Sequence, residues 1–318
     1  MTRAVGVGLL GLGTVGSAVA RAMGERGEGL SASAGRDLRL VRAAVRDASK
    51  TRDLPVEVTA NAFDVLDDPD VDVVVEVIGG HRPAIDLHLA AFERGKHVVT
   101  ANKEVVAKEW RALHEAARGA KRELRFEAAV AAAVPVVAAA RALGAARVRT
   151  IRGLLNGTTT YICSRMEAGA SFDDALREAQ AAGYAEADPS ADVDGWDPAY
   201  KLSILISLAE GRWHDPAAVS RTSLRGVTTA AMNDAAGRGM RIRYIATAEF
   251  GQKGTTARVA PEEVEAASLE GQATGPTNVV RFDTDLAGVL TFMGPGAGGD
   301  ATASAILGDV IQIARGMR

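Results

Sequence analysis

The chain has 318 residues, 47% of them apolar, which is enough to bury the cores of about two domains. Its 37 basic and 40 acidic side chains leave a formal charge of −3, so no overall field attracts nucleic acid or an anionic membrane. Residues 4–10 lead into a glycine motif without a signal-peptide layout, and no uncharged apolar run approaches the roughly 18 residues of a membrane helix. These features predict a cytoplasmic protein with small-molecule partners and with no nucleic-acid or membrane partner.

The first part of the chain alternates between strand-like and helical patterns. Residues 4–10 predict a buried strand, Gly11–Gly16 a turn, and Ser17–Met23 a helix. Further strands are predicted over residues 38–45, 71–78 and 97–100, with helical patterns such as 83–94 between them. This order predicts an α/β fold with a Rossmann-type doubly wound parallel sheet.

The pattern changes around Pro135, and from Arg147 onward strand-like segments separate long helices. The predicted strands cover residues 148–155, 244–250, 256–259 and 278–284. We expect an α+β second domain here. Its strands present alternating apolar faces that a small domain would not cover alone, which predicts a homodimer.

A glycine motif joins the first predicted strand to the first predicted helix. Gly11 would permit the tight turn, Gly13 the close approach of a pyrophosphate, and Gly16 the packing of helix on strand. Helix N–H groups would then face the phosphates. The positions expected to contact a dinucleotide are Gly11, Leu12, Gly13, Thr14, Val15 and Gly16. A purely structural turn is the alternative, and the flanking strand and helix favour the dinucleotide site.

The residues after the second strand would select the dinucleotide. Arg46 stands where the ribose substituent should lie, and a guanidinium suits a 2′-phosphate, which favours NADP. Asp47 follows and could accept from a ribose 2′-hydroxyl, so NAD stays open. An ordinary solvated arginine at a strand end is the alternative.

Ligands of doubly wound domains bind beyond the carboxyl ends of the strands. Gly79 and Gly80 follow the third predicted strand, and Asn102 and Lys103 follow the fourth. Lys103 is therefore expected at the reactive end of the cofactor. A cation at a helix start is unfavourable with the helix dipole, which indicates another partner, although an ordinary surface lysine is the alternative.

The second part of the chain contains an acidic segment. It runs from Gly183 to Pro189 and continues through Asp192 and Asp197 to Lys201. A proline after Asp197 and an apolar run place this aspartate at a helix start and Lys201 one turn later on the same face. Both side chains could then reach one ligand. The alternative is a helix-capping aspartate in an exposed ion pair.

Five motifs together resemble the homoserine dehydrogenase family: residues 100–103 (TANK), 154–159 (LLNGTT), 183–189 (GYAEADP), the Asp197/Lys201 pair and 294–299 (GPGAGG). The resemblance implies NAD(P)-dependent interconversion of L-homoserine and L-aspartate 4-semialdehyde, in threonine and methionine biosynthesis. It implies a dinucleotide-binding domain over residues 1–135, to which 296–318 return, and a substrate-binding, catalytic and dimerisation domain over 136–295. Because it ends near Arg318, we expect no regulatory domain and no inhibition by threonine. Ala131 and Ala133 depart from the pattern, since relatives often have glycine there.

The resemblance also implies roles for individual residues. Oxidation of an alcohol releases its hydroxyl proton, so a neutral amine or a water that it activates is required, and Lys201 would be that amine. The catalytic residues would be Lys201, Lys103 and Asp197; the substrate-binding residues would be Glu186, Asp192 and Asp197, assisted by Gly157, Thr158 and Tyr184. The cofactor would also contact Gly79, Gly80, Lys103, Gly183 and Gly298. Carbonyl groups of Glu127, Val130, Ala132 and Val134 would hold a monovalent cation such as Na+ or K+.

Three other functions stay open at this point. Aspartate-semialdehyde dehydrogenase needs a thiolate nucleophile. The single cysteine, Cys163, falls in a helix predicted to begin near Thr159, where a buried structural role is favoured. A lysine-bearing oxidoreductase of sugars would explain Lys103 but not the acidic segment, and a redox sensor without turnover would have no need of Lys201.

Overall fold

The computed structural model describes residues 3–50, 54 and 56–317, so Arg318 lies outside the described residues. The chain divides into two compact units, a first unit of Met1–Ala133 with Gly298–Arg318 and a second unit of Val134–Ala297. Among the described residues, no helix has both the length and the apolar character to cross a bilayer.

The first unit is built on a parallel sheet. Its strands are β1 (Val5–Leu10), β2 (Leu38–Ala44), β3 (Glu57–Thr59), β4 (Val73–Glu76), β5 (His97–Thr100) and β6 (Leu124–Arg125), and its helices up to this point are α1 (Thr14–Glu25), α2 (Gly27–Ala34), α3 (Ala62–Leu66), α4 (Ala84–Glu93), α5 (Lys103–Lys108) and α6 (Trp110–Ala120). A short 3-10 helix covers Glu127–Ala129. The strand order is β3-β2-β1-β4-β5-β6 with every pairing parallel, which confirms the predicted doubly wound fold.

The order of the strands reverses between β1 and β4, which places a crevice at their carboxyl ends. Every residue of β1 is buried, as expected for a central strand of a covered parallel sheet. β4 is shorter than the predicted 71–78 strand. Beyond its carboxyl end the Val77 N–H still donates to Leu10 of β1, whereas the N–H groups of Ile78 and Gly79 donate to the Glu76 carboxylate.

The second unit combines helices with a mixed sheet. Its elements are α7 (Val136–Ala142), β7 (Val148–Leu154), α8 (Gly157–Glu167), α9 (Phe172–Ala181), α10 (Ser190–Val193), α11 (Trp196–Glu210), β8 (Ser220–Arg221), α12 (Thr229–Gly237), β9 (Met240–Gly251), β10 (Gly254–Glu265), α13 (Leu269–Gln272), β11 (Thr277–Thr284) and β12 (Val289–Pro295), with 3-10 helices at Pro216–Ala218 and Leu224–Gly226. The sheet order is β12-β11-β7-β9-β10-β8, antiparallel except for the short β10–β8 pairing. The predicted α+β character is confirmed. β12 was not predicted, since its run of apolar residues lacks alternation with polar ones.

The last helix, α14 (Gly299–Gly316), belongs to the first unit. It packs against α1 and α2, and its Ile306, Val310 and Ile313 are buried in the same core cluster as Leu9 and Val19. A helix distant in sequence therefore completes one face of the parallel sheet.

Candidate active site

A cavity of about 660 Å³ opens at the carboxyl ends of β1, β2 and β4 in the first unit. Its wall includes the predicted cofactor residues Gly11, Leu12, Gly13, Arg46 and Gly79. The predicted Thr14, Val15 and Gly16 form the first turn of α1, which starts at this cavity without a side-chain cap. Unsatisfied helix N–H groups at the mouth of a cavity form a site suited to a phosphate group.

The glycines of the first turn have the geometry that a dinucleotide site requires. Gly11 has φ +109°, which residues with a side chain rarely adopt. A Cβ on Gly16 would lie 2.0 Å from the Gly11 carbonyl oxygen, so only glycine allows helix and turn to pack this closely. A Cβ on Gly13 would meet no atom within 4 Å, which leaves its surface open to a ligand.

Two of the cationic residues that line the cavity follow β2 in the chain. Arg46 was expected there, whereas Lys50 was not, because no local motif distinguishes it from other surface lysines. The Asp47 carboxylate accepts hydrogen bonds from the backbone N–H and the hydroxyl of Ser49, at 3.0 and 2.6 Å. This aspartate therefore stabilises its own loop.

The loops after β4 and β5 carry the other predicted cofactor residues of this unit. Gly79 and Gly80 both have positive φ, and the Asn102 side-chain amide donates to the Gly80 carbonyl at 2.7 Å. The Asn102 Oδ1 accepts from the Val105 N–H and caps α5, whose first residue is Lys103. Gly298 precedes α14, and a Cβ on the next residue, Gly299, would lie 3.1 Å from Thr14.

In the second unit a hydrogen-bonded network joins the residues expected to bind substrate. The Asn156 amide nitrogen donates to Asp192 Oδ1 at 2.6 Å and to Asp197 Oδ2 at 2.8 Å. Asn156 Oδ1 accepts from the Thr159 N–H at 2.8 Å, which caps α8 and fixes the amide's orientation. Asn156 belongs to the LLNGTT motif of residues 154–159 but was not among the predicted site residues. Its cap pattern was visible in sequence, but its two aspartate partners lie 36 and 41 residues away.

Lys201 is the buried cation of this network. Its Nζ donates to Asp197 Oδ2 and to the Leu155 carbonyl oxygen, both at 2.7 Å. Lys201 is 9% exposed and Asp197 5%, so the alternative of an exposed ion pair is wrong. Nor is Asp197 the helix cap, because α11 is preceded by Gly195 and begins at Trp196.

The start of α11 is held by close packing around Gly195. This glycine has φ +84°, and a Cβ on it would lie 2.6 Å from the Tyr244 hydroxyl oxygen. The Arg221 guanidinium lies 3.5 Å from the centre of the Trp196 ring, in cation–π geometry. These contacts fix the direction in which Asp197 and Lys201 leave the helix.

The segment from Gly183 to Pro189 is largely exposed. Glu186 lies on its surface, and Tyr184 is 41% exposed. The Thr158 hydroxyl donates to the Tyr184 carbonyl at 2.6 Å, and Gln180 Nε2 donates to the Glu186 carbonyl at 3.0 Å. Among the other predicted residues, Gly157 is buried against Pro276, and Gly183 follows α9 with φ +75°. Thus Thr158 and Tyr184 are in contact, and the Glu186 side chain is exposed.

The single cysteine has the buried environment that the sequence favoured. Cys163 is fully buried within α8, and burial raises the pKa of its thiol to about 12. A thiol in this state is a poor nucleophile.

In the loop expected to supply carbonyls to a cation, Ala131 and Ala132 have φ +57° and +47°. Two consecutive alanines in this region indicate a strained course imposed by their surroundings.

The fold and these sites define a dinucleotide-dependent oxidoreductase with a Rossmann unit and a separate α+β unit. Family models for "Homoserine dehydrogenase" and for "Homoserine dehydrogenase, NAD binding domain" match residues 135–311 and 11–127. The homoserine dehydrogenase of Pseudomonas aeruginosa is 39% identical, over 98% of this chain and 73% of that protein. The chain therefore belongs to the homoserine dehydrogenase family of NAD(P)-dependent oxidoreductases.

Solved structures agree with this assignment. A homoserine dehydrogenase from Thiobacillus denitrificans superposes with a TM-score of 0.95 at 40% identity, covering 98% of this chain and 73% of that one. A hyperthermophilic archaeal homoserine dehydrogenase in complex with NADPH gives a TM-score of 0.82 at 25% identity, covering 99% of both chains. The NAD-binding family model and this NADPH complex of a neighbour thus support a nicotinamide cofactor.

Proposed function

We propose that the chain interconverts L-homoserine and L-aspartate 4-semialdehyde with Lys201 as the proton-transferring residue. The observation that carries this assignment is the buried network of Lys201, Asp197, Asn156 and Asp192. A buried ion pair is costly unless it is also hydrogen-bonded, and here the Leu155 carbonyl and the Asn156 amide supply further hydrogen bonds. Such an arrangement is typical of a functional site rather than of a solvated helix surface.

The acidic character of the second unit suits an amino-acid substrate. Glu186 on the exposed segment, with Asp192 and Asp197 in the network, would face the ammonium group of the substrate. Gly157, Thr158 and Tyr184 would shape the site beside them. We assign substrate binding, catalysis and dimerisation to residues 136–295, and dinucleotide binding to residues 1–135 with 296–318.

Lys201 can act as a proton donor and acceptor from its observed position. Its ammonium has three N–H donors, of which two contact Leu155 and Asp197, so the third can be directed to a substrate oxygen. In reduction this ammonium would protonate the developing alkoxide, and in oxidation the neutral amine would accept the hydroxyl proton. Lys103 would lie beside substrate and nicotinamide. The bound cofactor supplies or accepts the hydride.

We propose NADP as the preferred cofactor, with NAD as the alternative. Two cations, Arg46 and Lys50, line the cavity where the 2′-substituent of the ribose is expected. Asp47 accepts from Ser49 in its own loop, which makes it less suited to a ribose hydroxyl. Gly183 and Gly298 are proposed as further cofactor contacts.

A monovalent cation is proposed at the loop of residues 127–134, with main-chain carbonyls as ligands. Left-handed backbone at Ala131 and Ala132 turns successive peptide groups in unusual directions, which suits a carbonyl cradle. The proposed ligands are the carbonyl oxygens of Glu127, Val130, Ala132 and Val134. Na+ and K+ both accept such oxygen ligands.

The mixed sheet favours a second copy of this chain as partner. Leu286, Val289 and Met293, on β12 and the turn before it, are 76%, 49% and 47% exposed. An exposed apolar edge strand is an association surface. Sedimentation at micromolar concentration should show a dimer, and a fully active monomer would contradict this proposal.

The reaction is tested by following NADPH oxidation with aspartate 4-semialdehyde and, separately, with sugar aldehydes. We expect turnover with the semialdehyde alone. Turnover with a sugar aldehyde would support the sugar-oxidoreductase alternative, and NADPH binding without any turnover would support a sensor. An acyl-enzyme route through Cys163 is disfavoured by the thiol's burial and raised pKa.

A further inference from the structure

A second buried polar network lies in the first unit, at the carboxyl ends of β4 and β5. Glu76, the last residue of β4, is fully buried, as are His88 of α4 and Thr100 of β5. Glu76 Oε1 accepts from the N–H groups of Ile78 and Gly79, at 2.8 and 3.2 Å. Its Oε2 accepts from the Thr100 hydroxyl at 2.7 Å and pairs with His88 Nε2 at 3.0 Å.

These contacts connect two separate loops to one carboxylate. Ile78 and Gly79 belong to the loop after β4 and line the cavity. The Thr100 hydroxyl also accepts from the Asn102 N–H at 2.9 Å, in the loop after β5 that leads into Lys103. Both loops thus take their position from Glu76, one directly and the other through Thr100.

The electrostatics favour an ionised carboxylate at this point. Burial alone would raise the pKa of Glu76. The hydrogen bond and the charge of His88, together with the hydrogen bonds from Thr100 and Ile78, outweigh the effect of burial and lower this pKa. A charged group without solvent is costly unless it is paired and hydrogen-bonded, and all four contacts supply that compensation. The same carboxylate is not used by the proton-transfer step proposed above.

We propose that Glu76 is a positioning residue for hydride transfer, which holds the Ile78–Gly79 loop and the Lys103 loop at a fixed spacing around the nicotinamide. The inference rests on the proposed cofactor site. A misplacement of about 1 Å can reduce a reaction rate about 100-fold, because the reacting atoms must be close and aligned. Loss of the shared anchor should therefore slow the chemical step more than it weakens binding.

The test compares Glu76→Gln, Thr100→Val and Thr100→Ser, with Glu167→Gln as a matched control. Glu167 pairs with the buried Arg243 in the second unit, so its variant removes a carboxylate from an ion pair outside both proposed networks. NADPH-binding sites are titrated by fluorescence, and single-turnover reduction of aspartate semialdehyde is measured per binding site. Counting bound NADPH removes any contribution from unfolded protein.

We expect E76Q and T100V to lower the rate per site about 10- to 100-fold, while T100S restores it and E167Q leaves it unchanged. An unchanged rate in T100V, equal losses in T100S and T100V, or an equal loss in E167Q would each overturn the proposal. T100V decides the matter if E76Q does not fold. Failure of the wild-type protein to reduce the semialdehyde would instead refute the proposed function.

Discussion

Replacement of Lys201 separates proton transfer from a purely structural ion pair. Lys201→Met removes the ammonium that contacts Asp197 and the Leu155 carbonyl, and breaking a buried pair costs about 3–5 kcal/mol of stability. Lys201→Arg keeps a cation for Asp197, but a guanidinium is not deprotonated in proteins and cannot act as a base. The two variants therefore differ in stability and should share a catalytic defect.

General acid–base groups contribute about 100- to 10,000-fold to rate, so both variants should lose turnover by that factor. Homoserine oxidation and semialdehyde reduction are assayed at saturating cofactor, with unfolding midpoints and NADPH titrations on the same samples. Affinity for NADPH should stay close to wild type. K201R could instead retain more than about a tenth of wild-type turnover. The loss of rate would then be smaller than an acid–base group should cause, and Lys201 would serve only as the partner of Asp197. Lys103 would then be the leading candidate for proton transfer.

Four other outcomes follow from the structure. Arg46→Ala should weaken NADP binding more than NAD binding in titrations, and equal losses would leave Arg46 without a role in selection. Asn156→Ala removes a donor to two carboxylates and should raise KM for the semialdehyde about 10-fold or more, given that hydrogen bonds to charged groups contribute about 1.5–3 kcal/mol. Because burial raises the pKa of Cys163, N-ethylmaleimide should not inactivate the folded enzyme and Cys163→Ala should stay active; rapid inactivation would place the thiol at the site. The pKa of Glu76 is lowered from 4.5 in the folded protein, so the carboxylate stabilises the fold fully above pH 4.5, and this stabilisation is lost as the pH falls below that value. Urea unfolding midpoints measured as the pH is lowered below 4.5 should therefore decline less in E76Q than in wild type.

The doubly wound fold was largely predictable because its signals are local. An apolar strand, a glycine turn and a helix occur within about twenty residues, and the 97–100 strand was predicted with the bounds that the structure shows. Strand ends were less predictable: β4 ends at Glu76, and the N–H groups of Ile78 and Gly79 donate to the carboxylate of that residue, a contact that no periodicity reveals. The long β9–β10 pair was predicted only over residues 244–250 and 256–259, near the turn that joins the two strands, since charged residues farther from the turn hide the strand pattern.

For the candidate site too, features that depend on neighbouring residues were predictable, and contacts between distant segments were not. The sequence by itself determined the glycine turn, the Arg46 position and the one-turn spacing of Asp197 and Lys201, because each depends on neighbours within a few residues. Only the tertiary structure decided that the Asp197–Lys201 pair is buried, that Asn156 bridges it to Asp192, and that Lys50 joins Arg46 at the cavity. It alone showed that Glu76 contacts the loop after β4 directly and the loop after β5 through Thr100. Burial and hydrogen bonds between distant segments depend on how elements pack, and a pattern along the chain carries no distance between residues that packing brings together.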